Sequence, residues 1–322
     1  MKAAVLHEFG ALPQYKDFPE PVPGSGEVLV HVKAVTLENI DQMMARGEHF
    51  ASRDMLPELP AIVGKGGVGE TEDGKLVGFS GMKAPYGAMA EQVVVPERNM
   101  SPIAVDVRPA IAAALPSSAM TSLIPLKWGV KMNQGETVLI NGATGVSGKL
   151  AIQIAKKLGA GRVIGTGRNE QSLQRVKELG ADAVIDLKQP DDELMSFFKA
   201  EVDAGIDIVL DFLWGHPTEL LLKAITPQEL SLHARNTRLV QIGEKAGTNI
   251  VLPAGALRTS GLEIVGGTKG MTTEVLQGAM ELLWDWMKEE KLQMDIDEFP
   301  LQKIETIWQR SDFEGKRIVI TP

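Results

Sequence analysis

The sequence of 322 residues contains no cysteine. Disulfides, thiolate nucleophiles and cysteine-bound zinc are therefore excluded, and any redox chemistry must come from a cofactor. Lysine and arginine form no block along the chain and the formal net charge is −9, which disfavours nucleic acid and anionic membranes as partners. The histidines show no ligand spacing, so we predict no metal site; they are His7, His31, His49, His216 and His233.

Long uninterrupted apolar stretches are also lacking. No run approaches about 18 apolar residues, the length that would span a membrane. Residues 1–8 enter a strand pattern without a basic, apolar and small-residue leader. We therefore expect a cytoplasmic protein without a membrane partner. The length and the 44% hydrophobic content are more than one compact core usually holds, which favours two domains.

The two halves of the chain differ in their pattern of apolar and turn-forming residues. Up to about residue 115, short apolar runs alternate with turn clusters such as Pro23-Gly24-Ser25-Gly26, which predicts a small irregular barrel or sandwich. From about residue 135, strands alternate with amphipathic helices, which predicts an α/β fold with a parallel sheet. The predicted strands are 2–6, 27–35, 75–79, 91–95, 137–140, 162–166, 183–185, 206–210, 239–242 and 317–321, and the predicted helices are 146–158, 170–179 and 272–289.

A glycine-rich loop between a strand and a helix is the central motif. Residues 137–148 read TVLINGATGVSG, with glycines at 142, 145 and 148. Such glycines allow a tight turn, close approach of a pyrophosphate and close helix packing, and the helix start offers free N–H groups. The strand before, the helix and the strand after favour a dinucleotide site over a plain turn. The predicted contacts are Gly142, Ala143, Thr144, Gly145, Val146, Ser147 and Gly148.

The residues after the next strand indicate which dinucleotide binds. NAD-binding versions place a carboxylate there for the ribose hydroxyls, whereas this chain has Gly167, Arg168 and Asn169. The Arg168 guanidinium can clasp a 2′-phosphate through paired charge-assisted hydrogen bonds. We therefore predict NADPH as the cofactor and assign these three residues to its site. The alternative is that Arg168 is a solvated residue before a helix that Asn169 caps.

Five segments occur in a specific order: 1–5, 21–30, 86–91, the glycine loop and 315–320. In this order they resemble the medium-chain dehydrogenase/reductase superfamily, and within it the zinc-free quinone oxidoreductase-like branch. The resemblance covers essentially the whole chain and implies a Rossmann doubly wound parallel sheet plus a GroES-like β-barrel domain. It implies a discontinuous GroES-like catalytic domain of residues 1–115 and 268–322, and a Rossmann NADPH-binding domain of residues 116–267. It also implies a homodimer formed through an edge strand at 262–265.

The resemblance implies further cofactor contacts. Thr121 is similar to the threonine that approaches the nicotinamide side. Ile242 and Gly243 resemble the strand end that passes the nicotinamide ribose, and Gly267 and Thr268 resemble the segment that the carboxamide meets. The alternative for Thr121 is an ordinary polar residue early in a helix, and the alternative for the strand-end residues is a packing role.

Zinc-dependent relatives hold a catalytic metal with a cysteine and a His-Glu pair, and here Glu38 and Lys65-Gly66 stand at the matching places. A metal that polarises the substrate carbonyl is then lacking. Lys65 has three alternative roles: it pairs with Glu38, donates to a substrate oxygen, or is an exposed lysine in a glycine-rich turn. Many quinone oxidoreductases carry an Asn-x-x-Asp motif and a tyrosine after the third strand. Of these residues only the aspartate has a clear match here, Asp41. Asp41 and Lys65 are the candidate catalytic residues.

A group of large apolar side chains follows in the same region. Met43, Met44, Phe50 and Met55 either line an adaptable pocket or belong to the barrel core. Together these features predict an NADPH-dependent, zinc-free oxidoreductase that transfers a hydride to a small-molecule quinone or other α,β-unsaturated carbonyl (enone). A non-catalytic NADPH-binding redox sensor and an enoyl-thioester reductase remain alternatives.

Overall fold

The computed structural model describes residues 1–103, 106–227, 236–289, 292–310, 313 and 315–322. These residues divide into two compact units, the first comprising Met1–Ser117 and Met294–Pro322, the second Ser118–Gln293. The second unit thus includes residues 268–293, which the sequence placed with the first domain. Contacts within the unit explain the difference. The Gln153 amide donates to the Gln293 carbonyl at 2.9 Å, and the Lys157 ammonium lies 5.2 Å from the Trp286 ring centre.

Strands and helices cover most of the described residues. The strands are β1 (Lys2–Leu6), β2 (Gln14–Asp17), β3 (Glu27–Leu37), β4 (Ala61–Ile62), β5 (Gly66–Thr71), β6 (Leu76–Ser80), β7 (Gln92–Pro96), β8 (Met100–Pro102), β9 (Thr137–Asn141), β10 (Arg162–Gly167), β11 (Ala183–Asp186), β12 (Ile208–Asp211), β13 (Arg238–Gln241), β14 (Glu263–Gly266), β15 (Ile296–Pro300) and β16 (Arg317–Thr321). The helices are α1 (Asn39–Arg46), α2 (Ser52–Met55), α3 (Pro109–Ile124), α4 (Val146–Lys157), α5 (Glu170–Glu178), α6 (Asp191–Ala204), α7 (Gly215–Ile225), α8 (Ala254–Thr259), α9 (Thr273–Lys288) and α10 (Ile304–Trp308).

The first unit is built around the long strand β3, which pairs antiparallel with β5, β7 and β16 along different parts of its length. Because β16 lies near the end of the chain, this pairing brings the two ends of the chain into one unit. Its largest core cluster joins side chains from both ends, such as Val30, Val35, Val93 and Ile320. The strand-rich first half that the sequence predicts is confirmed.

The second unit contains a sheet whose strands run in the order β11-β10-β9-β12-β13-β14, with every neighbouring pair parallel. Counted from β9, this is the order 3-2-1-4-5-6 of the doubly wound dinucleotide-binding fold. The inner strands are buried on both faces, as Val138, Leu139 and Ile140 show. The strand order reverses between β9 and β12, and ligands bind outside the carboxyl ends of the strands at such a point.

The extent of helix α3 was not predicted from the sequence, which offered a helix only as an alternative around Thr121. Its residues are apolar nearly all round, so that no polar face marks a helical period. With the π-helical turn that follows, Pro109–Gly129 is long and apolar enough to cross a membrane, but 61% of its most apolar window is buried inside the structure. Such burial is typical of a core helix.

Candidate functional site

Glycines shape the loop between β9 and α4, which we call the glycine loop (residues 142–148). Gly142 has a φ of +92°, a conformation that side-chain-bearing residues rarely adopt. A Cβ at Gly148 would clash with the Gly142 carbonyl oxygen, and a Cβ at Gly167 would clash with the Thr144 side chain. The start of α4 and the end of β10 therefore approach the loop more closely than any other residue type would allow.

The first two amides of the loop are used inside the protein. The Gly142 N–H donates to the Thr166 hydroxyl oxygen at 3.0 Å, and the Ala143 N–H donates to the Thr166 carbonyl oxygen at 2.8 Å. These bonds tie the loop to the end of β10. Gly142 and Ala143, both predicted as cofactor contacts, thus fix the turn, and their N–H groups are already engaged.

The next amides are different, because they open helix α4. The first N–H with an acceptor inside α4 belongs to Lys149, which donates to the Gly145 carbonyl at 2.9 Å. The N–H groups of Val146, Ser147 and Gly148 precede it and have no acceptor within the helix. Together with the partial positive charge of the helix start, these donors would suit an anion such as a diphosphate.

A chain of fully buried polar side chains lies beneath the loop, at the carboxyl ends of β9, β10 and β12. The Thr166 hydroxyl donates to the side-chain oxygen of Asn141 at 2.8 Å, and the Asn141 side-chain NH₂ donates to Asp211 at 3.0 Å. Thr218 on α7 donates to the other Asp211 oxygen at 2.6 Å. We call Asn141, Thr166, Asp211 and Thr218 the strand-end network. Sequence reasoning missed it, although three of its members are polar residues at or near the ends of buried apolar strands.

The residues after β10 lie as the sequence predicts. Arg168 is exposed and makes no ion pair with any described residue. The Asn169 side chain accepts from the Ser172 N–H at 2.8 Å and caps α5, which confirms its predicted capping role. Arg168 is the member of this group with a positively charged side chain, so it is the one best suited to an added anion.

The predicted nicotinamide contacts lie at neighbouring strand ends of the same sheet. The Ile242 and Gly243 N–H groups both donate to the Asp211 carbonyl, at 2.9 and 3.1 Å. The Gly267 N–H donates to the Gln241 carbonyl at 2.8 Å. The structure therefore groups these residues with the strand-end network at the carboxyl edge of the sheet.

The two remaining predicted cofactor contacts are threonines. Thr268 is exposed just beyond β14. Thr121 lies on α3, half-buried, and its hydroxyl donates to the Ser118 carbonyl at 2.7 Å. That bond gives Thr121 a role within its own helix.

A second group of polar side chains meets in the first unit, around Glu38. Its carboxylate forms an ion pair with Lys65, accepts from the Ser117 hydroxyl at 2.6 Å, and lies 3.7 Å from the Arg317 guanidinium. Asp41 accepts from the Glu38 backbone N–H at 2.8 Å in the first turn of α1. We call these five residues the Glu38 cluster. Of the roles considered for Lys65, pairing with Glu38 is present in the structure.

The two carboxyl groups of the cluster differ in their acidity. Burial favours the neutral form of Glu38, but Arg317 and Lys65 outweigh it and hold the pKa of this carboxyl below its usual value. For Asp41 burial is decisive, and it raises the pKa to about 6 in spite of the opposing charge of Lys65. Near neutral pH, Glu38 is the permanent counter-ion of Lys65.

A pocket opens beside this cluster. Asp41 and Lys65 supply its polar groups, and apolar side chains form its walls, among them Met44, Met55, Leu56, Ile62, Met82 and Tyr86. The pocket interpretation thus holds for Met44 and Met55. For Phe50 both the pocket and the core interpretation are wrong, because this ring is 93% exposed. Met43 is half-buried and does not line the pocket.

Within the described part of the chain, no three His, Asp or Glu residues lie close enough together to hold a metal ion. His233 lies outside the described residues.

Comparisons with known proteins bear on both units. The family model described as zinc-binding dehydrogenase matches residues 147–285. A probable NADPH-dependent quinone reductase of Emericella nidulans is 27% identical over 100% of both chains, and human quinone oxidoreductase is 25% identical over 99% of this chain and 98% of its own. The solved quinone oxidoreductase of Thermus thermophilus, studied also in complex with NADPH, is 26% identical with a TM-score of 0.80 over 100% of both chains.

The doubly wound sheet, its glycine loop and these relatives define the class of protein, an oxidoreductase. More narrowly, the chain is similar over its whole length to quinone oxidoreductases of the medium-chain dehydrogenase/reductase superfamily. The predicted fold class, a Rossmann sheet with a GroES-like β-barrel domain, is confirmed.

Proposed function

We propose that the protein is an NADPH-dependent oxidoreductase that reduces quinones and related α,β-unsaturated carbonyls without a zinc ion. One observation carries the proposal. The second unit presents the unengaged N–H groups of residues 146–148 and the exposed guanidinium of Arg168 on consecutive elements of one βαβ unit. A dinucleotide with an additional 2′-phosphate offers one anion for each of these positions.

The strand ends of the second unit fit the rest of such a cofactor. Val146 and Ser147 would hold the diphosphate and Arg168 the 2′-phosphate, while Gly243 and Gly267 would lie beside the ribose and carboxamide at the sheet edge. NADPH supplies a hydride when bound. Relatives of this chain that carry the name NADPH-dependent quinone reductase or were solved with NADPH support the choice of cofactor.

The pocket in the first unit suits an apolar acceptor with one polar end. Methionine side chains adapt to flat rings of varied outline, and Lys65 reaches the pocket while Glu38 does not line it. As a quinone or enone is reduced, negative charge develops on its oxygen and must be stabilised. We assign this role to the Lys65 ammonium, while Ser117 and Arg317 keep Glu38 in place as its counter-ion.

A steady-state assay tests the proposal. NADPH oxidation is followed against a panel of quinones, enones and enoyl thioesters, with NADH as the comparison donor. We expect turnover with quinones and enones and a preference for NADPH. NADPH binding without oxidation in the presence of any acceptor would contradict an enzymatic role and favour a redox sensor, and turnover confined to enoyl thioesters would contradict the acceptor class.

We also propose that the protein is a soluble cytoplasmic homodimer. Within the described residues β14 pairs on one side only, with β13, so the edge of the parallel sheet is open there. Light scattering coupled to size exclusion should give twice the mass of one chain. A monomer at micromolar concentration would contradict this assembly.

A further inference from the structure

The strand-end network connects the glycine loop to the buried carboxylate of Asp211 at the end of β12. Asn141, Thr166, Asp211 and Thr218 are each 0% exposed. Reading from the loop outward, the Gly142 N–H donates to Thr166, Thr166 donates to Asn141, and Asn141 donates to Asp211. The chain of bonds crosses β10, β9 and β12 at their carboxyl ends, on both sides of the point where the strand order reverses.

The carboxylate sets the direction of every bond in this chain. Ionised Asp211 can only accept, and it accepts from the Thr218 hydroxyl, the Asn141 amide and the Leu213 and Trp214 N–H groups at 2.6 to 3.0 Å. The Asn141 NH₂ must therefore point to Asp211 and its oxygen away from it. That oxygen takes the Thr166 hydroxyl proton, which leaves a Thr166 lone pair for the Gly142 N–H.

The same carboxylate also fixes the segment that packs on the loop. A Cβ at Gly142 would lie 3.0 Å from the Leu213 side chain, so this residue closes over the turn. Trp214 has a φ of +55°, which is strained for a residue with a side chain, and its N–H is held by Asp211. Both sides of the Gly142 turn thus depend on one buried acceptor.

We propose that Asn141, Thr166 and Asp211 are positioning residues that hold the glycine loop in its diphosphate-binding shape. This inference rests on the proposed function and deepens it. These residues do not contact the nucleotide. They fix the turn at Gly142, and this turn positions the free N–H groups of residues 146–148. Because the diphosphate is common to NADPH and NADH, loss of the network weakens both equally, whereas Arg168 distinguishes them.

Thr166→Val and Thr166→Ser form the test, with Thr237→Val as the matched control. Valine keeps the shape of threonine without the acceptor, and serine keeps the hydroxyl. Thr237 is also a buried threonine of this unit, and its hydroxyl donates to the Ile206 carbonyl at 2.8 Å, but it precedes β13 at the opposite edge of the sheet. Calorimetry gives the Kd of each variant for NADPH and NADH, and thermal unfolding gives its Tm.

We expect Thr166→Val to weaken both nucleotides by the same factor, about three- to tenfold. Thr166→Ser should bind as the wild type does, and Thr237→Val should lower Tm without changing either Kd. If Thr166→Val does not fold, Thr166→Ala carries the same expectation. Unchanged affinity in the variant that lacks the Thr166 hydroxyl, or an equal loss in Thr237→Val, would overturn the inference. A wild-type protein that binds neither nucleotide would instead overturn the proposed function.

Discussion

The glycine loop of the second unit is fixed by the exclusion of side chains, whereas the Glu38 cluster of the first unit is fixed by charge. The close contacts at Gly148 and Gly167 join residues 142–148 and 167, which are close together in the sequence, although the Asp211 support lies further along the chain. The cluster gathers Glu38, Lys65, Ser117 and Arg317 from distant parts of the chain. A single added side chain can therefore disrupt the loop as a whole. A substitution in the cluster removes only one of several charge interactions.

The largest effect is expected at Gly148, where the loop leaves no space for a side chain. Gly148→Ala places a Cβ against the Gly142 carbonyl and should abolish measurable nucleotide binding, with a loss of about 1–3 kcal/mol in unfolding free energy from overpacking. Calorimetry and urea unfolding measure the two effects. Gly278→Ala on α9 is the matched control, because a Cβ there meets no atom within 4 Å. Equal behaviour of the two variants would remove the steric basis of the comparison.

The Asp41 carboxyl should give the cluster a pH-dependent stability. Its pKa is raised by burial from 3.8 to about 6, so the folded state holds this proton more tightly. The stability gained is fully present below pH 3.8 and is lost as the pH rises through about 6. Asp41→Asn lacks this titration. The unfolding free energy of the wild type relative to the variant should therefore fall by up to about 3 kcal/mol from acid to neutral pH; a difference independent of pH would contradict the burial argument.

Arg168→Ala should change specificity and leave the loop intact. A hydrogen bond to a charged group contributes about 1.5–3 kcal/mol, so NADPH affinity should fall about 10- to 150-fold while NADH affinity stays nearly constant. The exposed Arg258 of α8 provides a control substitution in the same unit. Parallel losses for both nucleotides in the titration would show that Arg168 does not read the 2′-phosphate.

Lys65→Met should produce the smallest of these effects, because the substrate oxygen retains other donors such as water. We expect turnover with a quinone to fall about tenfold at unchanged NADPH affinity, as one charged donor is lost. Lys75→Met, which removes an exposed lysine paired with Asp73, serves as the control. Unaltered turnover in Lys65→Met would leave the ion pair with Glu38 as a purely structural contact.

Sequence reasoning succeeded where the determinants are local. The strand–loop–helix from Thr137 to Lys157 lies within one residue of its predicted bounds, because glycine positions and a helical period mark it. The cluster was foreseen only in part. The Glu38–Lys65 pair came from matching positions in a family pattern, whereas Ser117 and Arg317 reach Glu38 through tertiary folding that no local pattern records. Asp211 was missed since a polar residue at a strand end is common without any such network.

The central claim concerns the anion positions of the second unit, and a direct titration of the purified wild-type chain tests it. Calorimetry with NADPH and with NADH should show saturable binding of both, with NADPH tighter by about 10- to 150-fold. Equal affinity for the two nucleotides would contradict the role of Arg168. Absence of binding to either would contradict the account of the glycine loop itself.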